Sequence, residues 1–192
     1  MLKSKIIFLP LLLSTTLLVQ GCAGLLIGAG MGAAAVAHDR RTIGTQVDDT
    51  TTAGRISNAL ANDLAIQEQT SISIQVFNGT ALLVGQAPTQ ELIQKAQTLA
   101  SSVKNIKKLH NQIRLGAPIP ASIVANDAWL ASKVKAKLIA DKQIDGLHIE
   151  IEVENGEVFL MGLVSEQESN IAVNITRNIV GVKQVIKAFE YT

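Results

Sequence analysis

The sequence predicts an α+β protein built from two tandem copies of one αββαβ module, each with two helices packed on a three-stranded sheet, behind a secretory leader and a tether. Three observations predict it. Val76-Phe77-Asn78-Gly79-Thr80-Ala81-Leu82-Leu83-Val84-Gly85 aligns with Val153-Glu154-Asn155-Gly156-Glu157-Val158-Phe159-Leu160-Met161-Gly162 at a constant offset of 77 residues, and a repeat of that period means a duplicated structural unit. In both copies Asn-Gly separates two apolar runs, and this dipeptide readily takes the two positive φ values of a type I′ hairpin turn. At the amino terminus Lys3 and Lys5 precede an uncharged run from Ile6 to Val19, shorter than the roughly 20 apolar residues of a spanning helix and therefore read as a leader.

The leader, residues 1–21, ends in Val19-Gln20-Gly21-Cys22. This resembles the bacterial lipobox, in which small residues admit the lipoprotein peptidase and the thiol that follows receives a diacylglycerol. Cys22 is then the lipidation site and the first residue of the mature chain, although Gln20 departs from the small residue usual at its position. As the only cysteine, it excludes intrachain disulfides and cysteine-rich metal sites. At about 0.8 kcal/mol per buried CH₂, two or three acyl chains make a lasting anchor. Ala23 stands where lipoproteins held at the inner membrane carry aspartate, so the resemblance implies an outer-membrane lipoprotein facing the periplasm. Residues 22–47 read as the acylated N-terminus and tether. Within them, 23–37 are apolar and glycine-rich, either lying against the acyl layer or offering a small-residue packing surface. Gly28, Gly30 and Gly32 make no dinucleotide fingerprint, because no strand precedes them.

The first module is expected over 48–115. Ile56, Leu60 and Leu64 recur at i, i+4, i+8 and predict an amphipathic helix. Ile72, Ile74 and Val76 before Asn78-Gly79 predict a hairpin with one face buried. Pro88 and Thr89 start a second helix with Leu92, Ile93, Ala96 and Leu99 inward, and a last strand follows from Ile106 to Leu115. Residues 116–125 form a linker that two prolines in Gly116-Ala117-Pro118-Ile119-Pro120 make semi-stiff. The second module, 126–192, repeats the order. Leu130, Val134 and Leu138 mark its first helix, and Ile149, Ile151 and Val153 precede Asn155-Gly156. Ser165-Glu166-Gln167-Glu168 is a capping box, and Val182 to Tyr191 is the last strand.

Charge excludes a nucleic-acid binder: the whole chain has 17 Lys plus Arg against 16 Asp plus Glu, and loss of Lys3 and Lys5 leaves 15 against 16. Any electrostatic function is local. No enzyme is expected. His38, His110 and His148 stand apart without a nucleophile or metal ligand at usable spacing. Glu150, Glu152 and Glu154 alternate with apolar residues on one strand face, which reads as a solvated sheet face rather than a calcium or acid/base site. No cofactor other than covalent lipid at Cys22, no metal and no small-molecule substrate is expected.

Two modules of this order resemble the BON domain, a periplasmic family. Gly44-Thr45-Gln46-Val47-Asp48-Asp49, Leu83-Val84-Gly85-Gln86, Asn126-Asp127-Ala128-Trp129 and the run from Glu154 to Val164 resemble dual-BON outer-membrane lipoproteins over essentially the whole chain. One departure is Asn105, where the family usually has a glycine before its last strand, as Gly181 is. The resemblance implies that the second domain binds anionic phospholipid, and that the protein supports outer-membrane integrity and envelope remodelling at cell division. Some relatives carry an older haemolysin label.

The residues agree on which copy is specialised. Trp129, Lys133 and Lys137 follow at i, i+4, i+8 along the edge of the apolar stripe. An indole favours the membrane interface, and lysine stems lie along apolar surface while their heads reach phosphate. At the equivalent places the first copy has Thr51, Arg55 and Ala59. A ring covering the sheet edge beside two solvated lysines is the competing reading. Lys135 and Lys142 fall on the other side of the stripe. Residues 126–192 hold 10 acids against 7 bases, so the lysines form a local patch. A different class of function, a periplasmic adaptor for envelope-assembly proteins or for regulators of cell-wall hydrolases, also fits a duplicated module.

Overall fold

The computed structural model describes residues 39–192. The leader, Cys22, the segment 23–37 and His38 lie outside the described residues. Helix α1 (Ile43–Ala61) and a short α2 (Leu64–Gln69) lead into β1 (Ser71–Phe77) and β2 (Thr80–Ala87), followed by α3 (Gln90–Ser101) and β3 (Lys108–Leu115). The second copy runs α4 (Ala121–Ala140), a 3₁₀ turn (Gly146–His148), β4 (Glu150–Glu154), β5 (Glu157–Val164), α5 (Glu166–Arg177) and β6 (Gln184–Tyr191). The sheets are ordered β1-β2-β3 and β4-β5-β6. In each, the middle strand pairs antiparallel with its hairpin partner and parallel with the last strand, reached by a helical crossover.

Local chemistry sets these elements as the sequence reading expects. Asn78 and Gly79 have φ of 51° and 81°, and Asn155 and Gly156 have 49° and 77°, the paired positive values of a type I′ turn. The α5 capping box is complete: the Glu168 N–H donates to Ser165 Oγ at 3.2 Å, and the Ser165 N–H donates to Glu168 Oε2 at 2.8 Å. Asn105 takes φ 73°, a left-handed conformation that asparagine tolerates better than other residues with a Cβ.

A device not anticipated from the sequence fixes each hairpin to its first helix. Buried Asp49 accepts the turn N–H groups of Asn78 and Gly79 at 2.7 and 2.8 Å. Its counterpart Asp127 accepts those of Asn155 and Gly156 at 2.6 and 2.9 Å. Two charge-assisted bonds satisfy a carboxylate that burial alone would exclude.

Each copy has its own core between helices and sheet, gathered around Ile56, Leu83 and Ala96 in the first and Val134, Leu160 and Ala172 in the second. A third cluster joins the copies: Phe77, Leu82 and Val84 of one sheet pack with Phe159, Met161 and Ala188 of the other. The layers therefore run helices, sheet, sheet, helices. Hydrogen bonds frame the seam: Gln86 Nε2 donates to Glu154 Oε1 at 2.6 Å, and Asn78 Nδ2 and Thr80 Oγ1 donate to the Glu190 carboxylate at 2.6 Å each.

That seam corrects two expectations. The hairpins are not buried on one face alone, because β2 is buried at every position. Nor is the glutamate face of β4 simply solvated. Glu150 is exposed, but Glu152 accepts from Gln75 Nε2 at 3.2 Å and Glu154 from Gln86, because the other copy covers that side of the sheet. Burial pushes the Glu154 carboxyl above its ordinary range.

The first helix differs as well. It starts at Ile43, inside the stretch read as tether, and stops at Ala61. Asp63 then accepts from the Ile66 N–H at 3.2 Å and restarts the chain as α2. The restart changes the helical phase, so Leu64, expected inward, is exposed and Ile66 is buried instead.

Candidate functional site

Burial of Leu130, Val134 and Leu138 sets the rotation of α4 and so places Trp129, Lys133 and Lys137 along its edge. Trp129 is 67% exposed. Beside it runs the loop between α5 and β6, whose Val180 is 86% exposed. Lys133 bridges the two: its Nζ donates to the Val180 carbonyl at 3.2 Å and stands 6.0 Å from the centroid of the Trp129 ring. Trp129, Lys133, Val180, Gly181, Lys183 and Ile123 line an open groove of about 320 Å³. Lys183 is held at its edge, donating to Asn155 Oδ1 at 2.8 Å.

Of the residues singled out in the sequence, the structure brings Trp129 and Lys133 together. Lys137 is exposed further along the helix and does not line the groove. Lys135 is engaged elsewhere: it donates to the carbonyls of Gly146, Leu147 and Ile149 at 3.1, 3.0 and 2.7 Å, and burial lowers the pKa of its ammonium. It fastens the 3₁₀ turn to α4. Val180, Ile123 and Lys183 escaped the sequence reading. They come to the groove from a loop, from the helix's first turn and from the residue just before the last strand, and none shares a periodic pattern with Trp129.

The first copy has no such site. Thr51 occupies the place of Trp129, and Lys104 occupies that of Val180 in the aligned loop. The corresponding depression is lined by Asp48, Asp49, Asn78, Asn105 and Lys107, a polar surface with a carboxylate at its rim.

No group of three or more His, Cys, Asp or Glu side chains among the described residues is placed to hold a metal ion. His110 is half-buried on β3 and His148 is buried in the 3₁₀ turn. No helix among the described residues is long and apolar enough to cross a membrane.

The family model for the BON domain matches twice, over residues 48–117 and 126–192. The chain belongs to the BON-domain family. It is 37% identical over 183 residues to the outer membrane lipoprotein DolP of Haemophilus influenzae, a match covering 95% of each chain. It is also 35% identical over 153 residues to a 21 kDa hemolysin of Actinobacillus pleuropneumoniae, covering 80% of this chain and 79% of the relative. The Trp129 groove thus lies on the second BON domain, at the joint between its first helix and the loop before its last strand.

Proposed function

We propose that the protein is an outer-membrane lipoprotein, acylated at Cys22 and facing the periplasm, whose second BON domain docks on anionic phospholipid. In this role it supports envelope integrity and division-linked remodelling, without catalysing a reaction. The likeness to a relative named an outer membrane lipoprotein supports the location. One observation carries the lipid reading: Trp129 and Val180 stand exposed side by side, with the Lys133 ammonium between them. Two apolar side chains enter the headgroup layer while the ammonium meets a phosphate, with Lys137 and Lys183 adding charge on either side.

The strength is modest. Each lysine near an anionic surface contributes about 1 kcal/mol. With a partly inserted indole the sum is roughly 4 to 6 kcal/mol, a dissociation constant from about millimolar to tens of micromolar. An acyl anchor raises effective concentration into the range of about a millimolar, which makes such a patch sufficient. The name hemolysin of the second relative fits a surface that engages bilayers.

The test is co-sedimentation of residues 38–192, lacking the anchor, with vesicles rich in phosphatidylglycerol or made only of zwitterionic lipid. Binding to the anionic vesicles that falls at least about tenfold in Trp129→Ala supports the reading. Equal binding of the two proteins, or indifference to lipid charge, refutes it. A protein partner crosslinked equally well by both would instead favour an adaptor.

A further inference from the structure

The residues immediately before α1 hold both BON domains at once. Arg41 pairs with Asp49 of the first at 2.9 Å and lies 3.9 Å from the centroid of the Phe77 ring. Arg40 reaches the second: Nη2 and Nη1 donate to the two Glu168 carboxylate oxygens at 2.6 and 3.0 Å, and Nη1 donates to the Leu163 carbonyl at 3.0 Å. Asp39 braces Arg41 at 2.6 Å. Three consecutive residues thus form a strap across the seam.

Behind this strap lies His148. Its side chain is 2% exposed, and neither ring nitrogen has a hydrogen-bond partner. Asp145 Oδ2 stands 3.7 Å from Nδ1, and Glu168 Oε1 stands 3.9 Å from Nε2. Buried polar atoms are seldom left unpartnered, and here the oxygen nearest Nε2 is the one that Arg40 holds.

We propose that Asp39–Arg41 is an acid-releasable latch, in which Glu168 holds Arg40 while His148 is neutral and exchanges Arg40 for the imidazolium once His148 takes a proton from solvent. One proton is taken up and one ion pair replaces another. The charged groups facing His148 are Asp145 on its own turn, Glu168 on α5, and Asp39 and Arg40 on the strap. Burial, with the Arg40 charge, lowers the imidazole pKa, while Asp145 and Glu168 oppose that shift. A proton therefore binds more readily once the strap has left, so acid favours release, beginning as the pH falls below the ordinary histidine value of 6.5. Glu168, held down at about 2, stays ionised throughout, so release does not come from losing the carboxylate. If the chain is anchored at Cys22, release lengthens its reach to the double module; that consequence rests on the acylation reading, whereas the latch does not.

The test is NMR of the mature chain in detergent micelles with labelled arginine and histidine side chains, titrated from about pH 7.5 to about pH 5. The Arg40 Nε–H resonance is expected to move with the same midpoint as the His148 ring signals and to stay still in His148→Gln. Arg40→Gln, a surface change compatible with folding, is expected to raise the His148 midpoint towards about 6.5. A His148 titration that leaves Arg40 unmoved, an unchanged midpoint in Arg40→Gln, or no His148 titration down to about pH 5 would each overturn the latch.

Discussion

Phe159→Ala isolates the seam between the two sheets. The Phe159 ring is 1% exposed and packs in the cluster shared by the copies rather than in the helix-facing core of its own copy. Truncating a fully buried phenylalanine costs about 3–5 kcal/mol, part lost transfer energy and part cavity. With a denaturant slope of roughly 2 kcal/mol/M, that lowers the urea midpoint by about 1.5–2.5 M. If the copies folded independently, the ring would lie on an open sheet face and its loss would cost little. The assay is urea unfolding of residues 38–192, followed by far-UV circular dichroism and by amide NMR signals assigned to each copy. Coincident transitions in the wild type and a large drop in Phe159→Ala are expected. Leu82→Ala, facing it from the other sheet, should combine with it non-additively because the two share one cavity. Two separate wild-type transitions, or a midpoint change under about 0.3 M in Phe159→Ala, would refute the reasoning.

Other outcomes follow from the buried charges and turns. Asp127→Ala strands the Asn155 and Gly156 amides and is expected to cost about 3 kcal/mol in urea unfolding, whereas Asp127→Asn keeps one acceptor and costs roughly half. Glu168 has its pKa lowered from 4.5 to about 2, chiefly by Arg40. A depressed carboxylate stabilises fully above its unfolded value and loses that contribution as the pH falls through the folded one. In the His148→Gln background, where the strap stays closed, the stability gap opened by adding Arg40→Gln should therefore narrow between pH 4.5 and about 2, as read from urea midpoints at each pH. Asn105→Ala, at φ 73°, should destabilise by about 1 kcal/mol, while Asn105→Gly should be neutral or slightly stabilising in thermal unfolding.

Much of the local structure is legible in the chain. The Asn-Gly turns, the Ser165–Glu168 box and the Leu130-Val134-Leu138 stripe each depend on neighbours within a few residues, so their spacing carries the geometry. Leu64 failed because a cap at Asp63 resets the phase, and a short-range acceptor outweighs continuation of an apolar stripe. The seam was visible only as a faint cue. Leu82-Leu83-Val84 and Val158-Phe159-Leu160-Met161 are continuous apolar runs, the pattern of strands covered on both sides, while alternation in the preceding strands pointed to one covered side. Asp49 and Asp127 were conspicuous as residues, but their acceptor role needs a turn that arrives some thirty positions later. Val180 gave no periodic cue, and its place beside Trp129 depends on how the parallel crossover closes.

The seam also bears on why a single copy carries the groove. Packing the sheets face to face buries the one broad apolar surface that each duplicated module would otherwise expose, and a small module gains most from such pairing. What remains outside is the helical layer of each copy, whose edge residues the core does not constrain. At those positions the copies have diverged: Thr51 and Lys104 in one, Trp129 and Val180 in the other. A substitution there changes the surface without disturbing either core. One copy can therefore leave an indole and a valine exposed while the other stays polar there and supplies, through Phe77, Leu82 and Val84, half of the seam.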